Sequence, residues 1–242
     1  MRIDLHIHTI GSHDCLTEPN ALLERARDRG IQRVAITDHD RFGVARELAE
    51  SHPDEVIPGE EVKTAEGVDI IGLYLREEIP GRTPAEETCR RIRAQGGLVY
   101  LPHPYARGKG RGGAFIPRVL PLVDVVEVRN GRLSPRLNAK AEALARGEDR
   151  PPGAGSDAHT LREVGGCWMD VPEHPNEPEA LRRALRSGRA GGRRASRWVF
   201  VASNWAKVRK RLPSRHTEGK GASRGTPSDL SRGEGSTREG KA

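Results

Sequence analysis

The sequence predicts an α/β fold closed into an irregular barrel, and three observations carry that prediction. Short apolar runs alternate with helix-like runs from Met1 to about Leu212, the pattern of strands joined by helices. The run Val123–Val128 is continuously apolar but for Asp124 and Glu127, and rich in valine, as a strand buried on both faces requires. Nearly every candidate strand also runs straight into His, Asp or Glu. In α/β folds, sites form at the carboxyl ends of the strands. Such ends meet at one mouth only if the sheet closes; an open sheet would spread them apart.

The elements follow in order. Ile3–Ile7 reads as the first strand. Glu18–Arg29 reads as a helix, with Thr17 as its N-cap, Ala21, Leu22 and Ala26 on one face, and Gly30 ending it. Arg33–Thr37 is the next strand and Phe42–Ser51 the next helix. Val56–Pro58 is a short strand, followed by Val68–Leu75. Ala85–Gln95 is a helix between Pro84 and Gly96. Leu98–Leu101 and Val123–Val128 are strands, and Pro135–Arg146 a helix capped by Ser134. Gly153–Ser156 and Cys167–Val171 are the last strands, and Pro178–Ser187 a helix. Ala195–Leu212 sets Trp198, Val199, Phe200, Val201, Trp205 and Val208 among Arg and Lys, which predicts a terminal amphipathic helix with its aromatic side on the barrel.

Composition bounds the function. Of 242 residues, 35% are hydrophobic and 31% charged, a low apolar share whose deficit sits at the C-terminus. Residues 213–242 hold almost nothing apolar, which predicts a basic, disordered tail after a domain spanning 1–212. Three scattered cysteines argue against a disulfide scaffold or a zinc finger. Met1 leads directly into a strand and no run is long enough to span a membrane, so a soluble, cytoplasmic protein is expected. The net charge of +7 suits anionic partners, nucleic acid among them, although crowded arginines in the C-terminal third can be a solvated surface.

The polar residues at the strand ends point to metal. His6-Ile7-His8 and Asp157-Ala158-His159 each set two ligands on one side of an extended chain. Thr37-Asp38-His39-Asp40, Pro58-Gly59-Glu60-Glu61 and Pro102-His103-Pro104 follow other strands. Mixed imidazole and carboxylate ligands suit Zn, Mn or Fe. Cys15 reads as a packing residue.

DLHIHT (Asp4–Thr9), TDHD (Thr37–Asp40), IPGEEV (Ile57–Val62), LPHP (Leu101–Pro104) and GSDAH (Gly155–His159) together resemble the PHP (polymerase and histidinol phosphatase) domain family over roughly residues 1–200. The resemblance implies a distorted (β/α)7 barrel of the PHP type with two or three divalent ions, and is nearest to the small stand-alone phosphoesterases. By position it implies His6, His8, His39, Glu61, His103, Asp157 and His159 as ligands, with Glu60 facing away. Ser12-His13-Asp14 offers a further ligand, and Asp14 is preferred over His13. The strand at Val123–Val128 and the residues after it offer Glu127 or Asn130 where relatives often carry His or Cys, which bears on whether a third ion binds.

The chemistry expected is hydrolysis of phosphate esters by a metal-bridging hydroxide. Asp157 helps hold the cluster, and His39 or His159 can assist the leaving alkoxide. Asp38 and Asp40 are expected to orient imidazoles. Arg107 and Lys109, in the Gly-rich loop after His103, are candidate phosphate-binding groups, with Arg129 and Arg132 next and Arg41 after them. The substrate class is a phosphorylated small molecule or nucleotide. A nuclease or nucleotide phosphatase acting on nucleic-acid ends would use the same site. A non-catalytic, metal-stabilised binding module is the reading from another class, and the full ligand set argues against it.

Overall fold

The structure is a computed structural model that describes residues 1–106, 112–196 and 205–210. Arg107, Lys109 and the expected tail at 213–242 lie outside the described residues.

The strands are β1 (Arg2–Ile7), β2 (Arg33–Ile36), β3 (Val56–Lys63), β4 (Asp69–Leu73), β5 (Leu98–Leu101), β6 (Val125–Asn130), β7 (Pro152–Gly155), β8 (Cys167–Asp170) and β9 (Arg189–Gly192). The helices are α1 (Pro19–Asp28), α2 (Gly43–Ser51), α3 (Ala85–Ala94), α4 (Gly112–Val119), α5 (Pro135–Gly147) and α6 (Pro178–Arg186), with a 3-10 turn at Leu120–Leu122. One sheet runs in the order β7-β6-β5-β4-β3-β2-β1-β8-β9. It curls until the chain leaving β7 meets β1. Ile7 bridges Ala158 in parallel, Asp157 N donates to His6 O at 2.8 Å, and His8 N donates to Ala158 O at 3.0 Å. Thus β1 uses its first residues to pair β8 antiparallel and its last to close the barrel. Gly155 permits this, since a Cβ there would collide with the Cβ of His6.

The barrel is mixed where the alternation suggested parallel strands. β1/β2, β2/β3, β5/β6 and β6/β7 are parallel, but β3/β4 and β4/β5 are antiparallel. The reason is connection length. Residues 64–68 join β3 to β4 directly, whereas a parallel neighbour needs a crossover of a dozen residues or so. With β4 as a partner, β3 extends past the expected Pro58 to Lys63, so Glu60 and Glu61 lie within a strand. β9 and α4 were not expected. β9 is a short Gly-rich run recognisable only through its pairing with β8. Gly112 and Gly113 begin α4 and so do not belong to the loop after His103.

Local signals explain most helix ends. Ser134 Oγ accepts from Leu137 N at 3.4 Å at the start of α5. Gly30 and Gly96 follow α1 and α3 with φ of +69° and +79°, the left-handed ending that glycine adopts without strain. Thr17 does not cap α1. Glu18 holds that position without a side-chain bond, and Thr17 Oγ1 instead donates to His159 O at 3.3 Å.

Both faces of the central strands are buried. Val34 and Ile36 join one apolar cluster with Leu22, Leu48 and Ile92 of the helices, while Ala35, between them, joins another with Ile57, Leu73, Tyr100 and Val125. No helix among the described residues is long and apolar enough to cross a membrane.

The segment 205–210 is helical, and within it the expected inward orientation of the apolar side does not hold. Trp205 and Val208 are 59% and 51% exposed, while Ala206 is buried. Lys207 and Lys210 face the barrel instead. The surface they meet is a carboxylate and backbone carbonyls, which ammonium groups match better than rings do. Trp198 to Val201 lie outside the described residues.

Candidate metal centre

At the mouth, one carboxylate gathers four imidazoles. Glu61 Oε2 lies 3.3 Å from His6 Nε2, 3.4 Å from His8 Nε2 and 3.1 Å from His39 Nδ1, and Oε1 lies 2.9 Å from His103 Nε2. The alternation of β1 puts His6 and His8 on one side, with their Nε2 atoms 3.1 Å apart. Asp157 Oδ1 is 3.8 Å from His6 Nε2, 3.5 Å from His8 Nε2 and 3.6 Å from His159 Nδ1. Asp14 stands across from His159, 3.3 Å from its Nε2, and 3.9 Å from His39 Nε2. His13 points outward, with its side chain 64% exposed, and only grazes Asp14 at 3.9 Å.

These donors suit divalent ions. His8, His39 and His159 form one group whose ligand atoms lie within 4.8 Å of one another; His6, His8 and Glu61 form a second, and His6, His103 and Asp157 a third. Two imidazole nitrogens at 3.1 Å share one proton at most, whereas an ion between them would use both lone pairs. Asp14 Oδ1 is buried without a hydrogen bond of good geometry. Glu61, Asp69 and His103 make a fourth group. The sequence does not single out Asp69, because it stands at the start of a strand and the other ligands stand at strand ends. β4 runs backwards, so its first residue, paired with Lys63, lies at the end of the barrel where parallel strands finish.

A second layer of hydrogen bonds aims the imidazoles. Glu127 Oε1 meets His6 Nδ1 at 3.0 Å and accepts Tyr100 Oη at 3.1 Å, while Oε2 accepts His103 N at 2.7 Å and Asn130 Nδ2 at 2.9 Å. So many partners mark Glu127 as a positioning group. Asn130 Nδ2 also donates to Asp157 Oδ2 at 3.2 Å. Ser12 Oγ lies 3.0 Å from His8 Nδ1, accepts from His39 N at 2.9 Å and donates to Asp38 Oδ1 at 2.8 Å. Asp38 therefore orients His8 through Ser12, a relay invisible in a linear motif. Asp40 binds backbone instead, accepting Lys63 N at 2.8 Å. Cys15 Sγ is buried against the carbonyls of His8 and His159, and burial pushes its thiol up to about 11.

Electrostatics follow the packing. Burial and the neighbouring His159 and His39 hold His8 well below its usual range, so it presents a neutral ring. Burial opposes the charge on His6, but Asp157, Glu127 and Glu61 prevail and hold it well above. Burial likewise opposes the charge on Asp14, yet His159, His39 and His8 keep it ionised far below the carboxylate range. His103 and Asp157 have φ of +27° and +54°, left-handed conformations costly for non-glycine residues and typical of functional sites.

The centre opens into a cavity of about 620 Å³ lined by Asp14, His39, His103, Asp157 and His159, with Lys63, Arg132, Arg194 and Lys207 among its cations. Arg132 forks onto buried Glu163 at 2.8 and 3.3 Å. Arg129 lines a separate cavity of about 510 Å³ beside α5, and Arg41 another next to His39.

Comparison with known proteins agrees with this geometry. The family model described as the PHP domain matches residues 4–90, and one described as PHP-associated matches residues 135–190. An uncharacterized protein of Methanocaldococcus jannaschii is 37% identical over 179 residues, 72% of this chain and 71% of that protein. A 5'-3' exoribonuclease of Haemophilus influenzae is 24% identical over 224 residues, 90% of this chain and 66% of that protein. Among solved structures, a two-domain protein of Bacteroides vulgatus containing a predicted PHP-like metal-dependent phosphoesterase superposes with a TM-score of 0.62 at 18% identity, covering 86% of this chain and 69% of that one. The motifs, the closed mixed barrel and these matches lead to one conclusion: the chain belongs to the PHP domain family.

Proposed function

We propose that this protein is a metal-dependent phosphoesterase whose ligands are His6, His8, Asp14, His39, Glu61, His103, Asp157 and His159, with Asp69 beside them. The observation that carries the reading is Glu61, a buried carboxylate within 3.4 Å of four imidazoles. Divalent ions held there would lower the pKa of water and neutralise charge on a phosphoryl group.

The chain's own residues do the remaining work. Glu127 and the Ser12–Asp38 pair fix His6 and His8 so that their Nε2 atoms converge. Asn130 holds Asp157. His39 and His159 line the cavity, where whichever of them does not ligate an ion is placed to deliver a proton to a leaving alkoxide. Arg132 brings positive charge to the cavity wall while remaining tied to Glu163. Residues 1–212 are assigned as the catalytic domain and 213–242 as a basic extension of it.

A nuclease acting on nucleic-acid ends is the second reading. It is favoured by the likeness, over 90% of this chain, to a protein named as a 5'-3' exoribonuclease. Metal-loaded protein should hydrolyse p-nitrophenyl phosphate or a short oligonucleotide with Mn2+, and lose that activity in EDTA. Elemental analysis should find at least two ions per chain. One ion or fewer after reconstitution, or equal turnover in EDTA, would overturn the proposal.

A further inference from the structure

Resting on the reading of this centre as one that handles phosphate, the geometry points to Lys207 as a substrate-binding residue that anchors the phosphoryl group. Lys207 and Lys210, three residues apart, share one face of the helical segment 205–210. Lys210 Nζ donates to Ile10 O at 2.5 Å and to Ser12 O. Those carbonyls belong to the loop that also carries Asp14. The segment is thereby clamped with Lys207 over the cavity, its Nζ 3.4 Å from Asp14 Oδ2 and its side chain 40% exposed. Ala206 is buried behind it.

Two other cations of the cavity, Lys63 and Arg132, have partners of their own. Lys63 Nζ lies 2.9 Å from Asp69 Oδ1, and Arg132 is forked on Glu163. Lys207 shares its partner with prospective ions, since Asp14 is one of their proposed ligands, and Lys63 does the same through Asp69. With a divalent cation held by Asp14, the Lys207 ammonium beside it would lose that partner to charge repulsion. The anion that such ions attract is then the natural new partner for Lys207. An ammonium on a flexible four-carbon stem suits a tetrahedral phosphate as a mobile point charge. Lys207 also lies beyond both family matches, which end at residues 90 and 190, so this group belongs to the chain's own C-terminal segment and not to the matched motifs.

The test uses the full chain loaded with Mn2+. Inorganic phosphate is titrated calorimetrically and also assayed as a competitive inhibitor of p-nitrophenyl phosphate hydrolysis. Lys207→Ala should weaken phosphate binding and raise KM about tenfold, as expected for loss of a charged hydrogen bond, with kcat less affected and Mn content unchanged. Lys207→Arg should retain most of the affinity. Arg209→Ala removes the same charge from an exposed position of the segment and should change neither quantity. Phosphate affinity in Lys207→Ala within twofold of the unmodified chain would overturn the assignment, as would an equal loss in Arg209→Ala. If the unmodified chain binds phosphate only with Mn2+, through Lys207, yet hydrolyses no ester, the phosphoesterase reading fails and the assignment stands. If it binds no phosphate at all, the assignment fails.

Discussion

Two adjacent glutamates in β3 offer the sharpest test of the site. Alternation sends Glu61 toward His6, His8, His39 and His103 and Glu60 to the opposite side, where its Oε2 accepts Ile79 N at 2.9 Å. Both are fully buried, so exposure does not distinguish them; chemistry does. Glu61→Gln removes the negative charge that four imidazoles and any ions between them share. Losing an outer partner of a metal ligand costs about 10–100-fold, so losing this central carboxylate should cost at least about 100-fold in metal affinity and about 1,000-fold in turnover. Burial pushes Glu60 up to about 8, against the bond from Ile79, so at pH 7 it is mainly the neutral acid. Gln has nearly that shape and keeps the Ile79 bond. Glu60→Gln should cost about 1 kcal/mol or less and leave kcat within about twofold. The assays are Mn2+-dependent hydrolysis of p-nitrophenyl phosphate, bound Mn by elemental analysis and a urea midpoint. An inactive Glu60→Gln beside an active Glu61→Gln would refute the strand register, and full activity in both would refute the metal centre.

Other perturbations probe the supports of the site. Gly155→Ala should cost about 3 kcal/mol by forcing β7 away from His6, read as a lowered urea midpoint together with lost Mn binding; an unchanged midpoint would mean that the barrel does not close there. Glu127→Gln should weaken Mn affinity about 10–100-fold because it loosens His6, and should also lower Tm because the carboxylate accepts from Tyr100 of the second apolar cluster; calorimetric titration checks the first and a melting curve the second. His174 gives a pH dependence remote from the centre. Its Nε2 faces Arg33 Nη1 at 3.1 Å and its Nδ1 faces Pro172 O at 3.0 Å, and burial, with the Arg33 charge, lowers its pKa below 6.5. The unfolded chain therefore binds the proton more readily, so this group's contribution is full above about pH 6.5 and is lost as pH falls below it. His174→Gln should flatten that acid limb in Tm measured from pH 7.5 to pH 5, and an unaltered limb would show that His174 is not its source.

How far the site was legible depends on what places each group. Ligands that follow a parallel strand, such as His39 and His103, announce themselves, because an apolar run and the polar residue ending it are neighbours in sequence. Asp69 does not, because it opens an antiparallel strand, and only the short connection at residues 64–68 puts a strand's beginning at the mouth. The roles of Glu127 and Ser12 were hidden for another reason. Glu127 is visible in the sequence as a candidate on β6, but whether a carboxylate ligates or orients depends on donors from Tyr100, His103 and Asn130, which only the closed barrel assembles. Lys207 marks the limit of pattern reading. Around it, Trp205 and Val208 suggested an apolar inner face, and hydrophobic periodicity assumes that the surface receiving a helix is apolar. Here that surface is Asp14 and the carbonyls of Ile10 and Ser12, so Lys207 and Lys210 turn inward while Trp205 and Val208 remain largely exposed. The same carboxylates that make a metal centre thus reverse the orientation of the segment packed over it. An amphipathic pattern near a charged site cannot be oriented until the charge of that site is known.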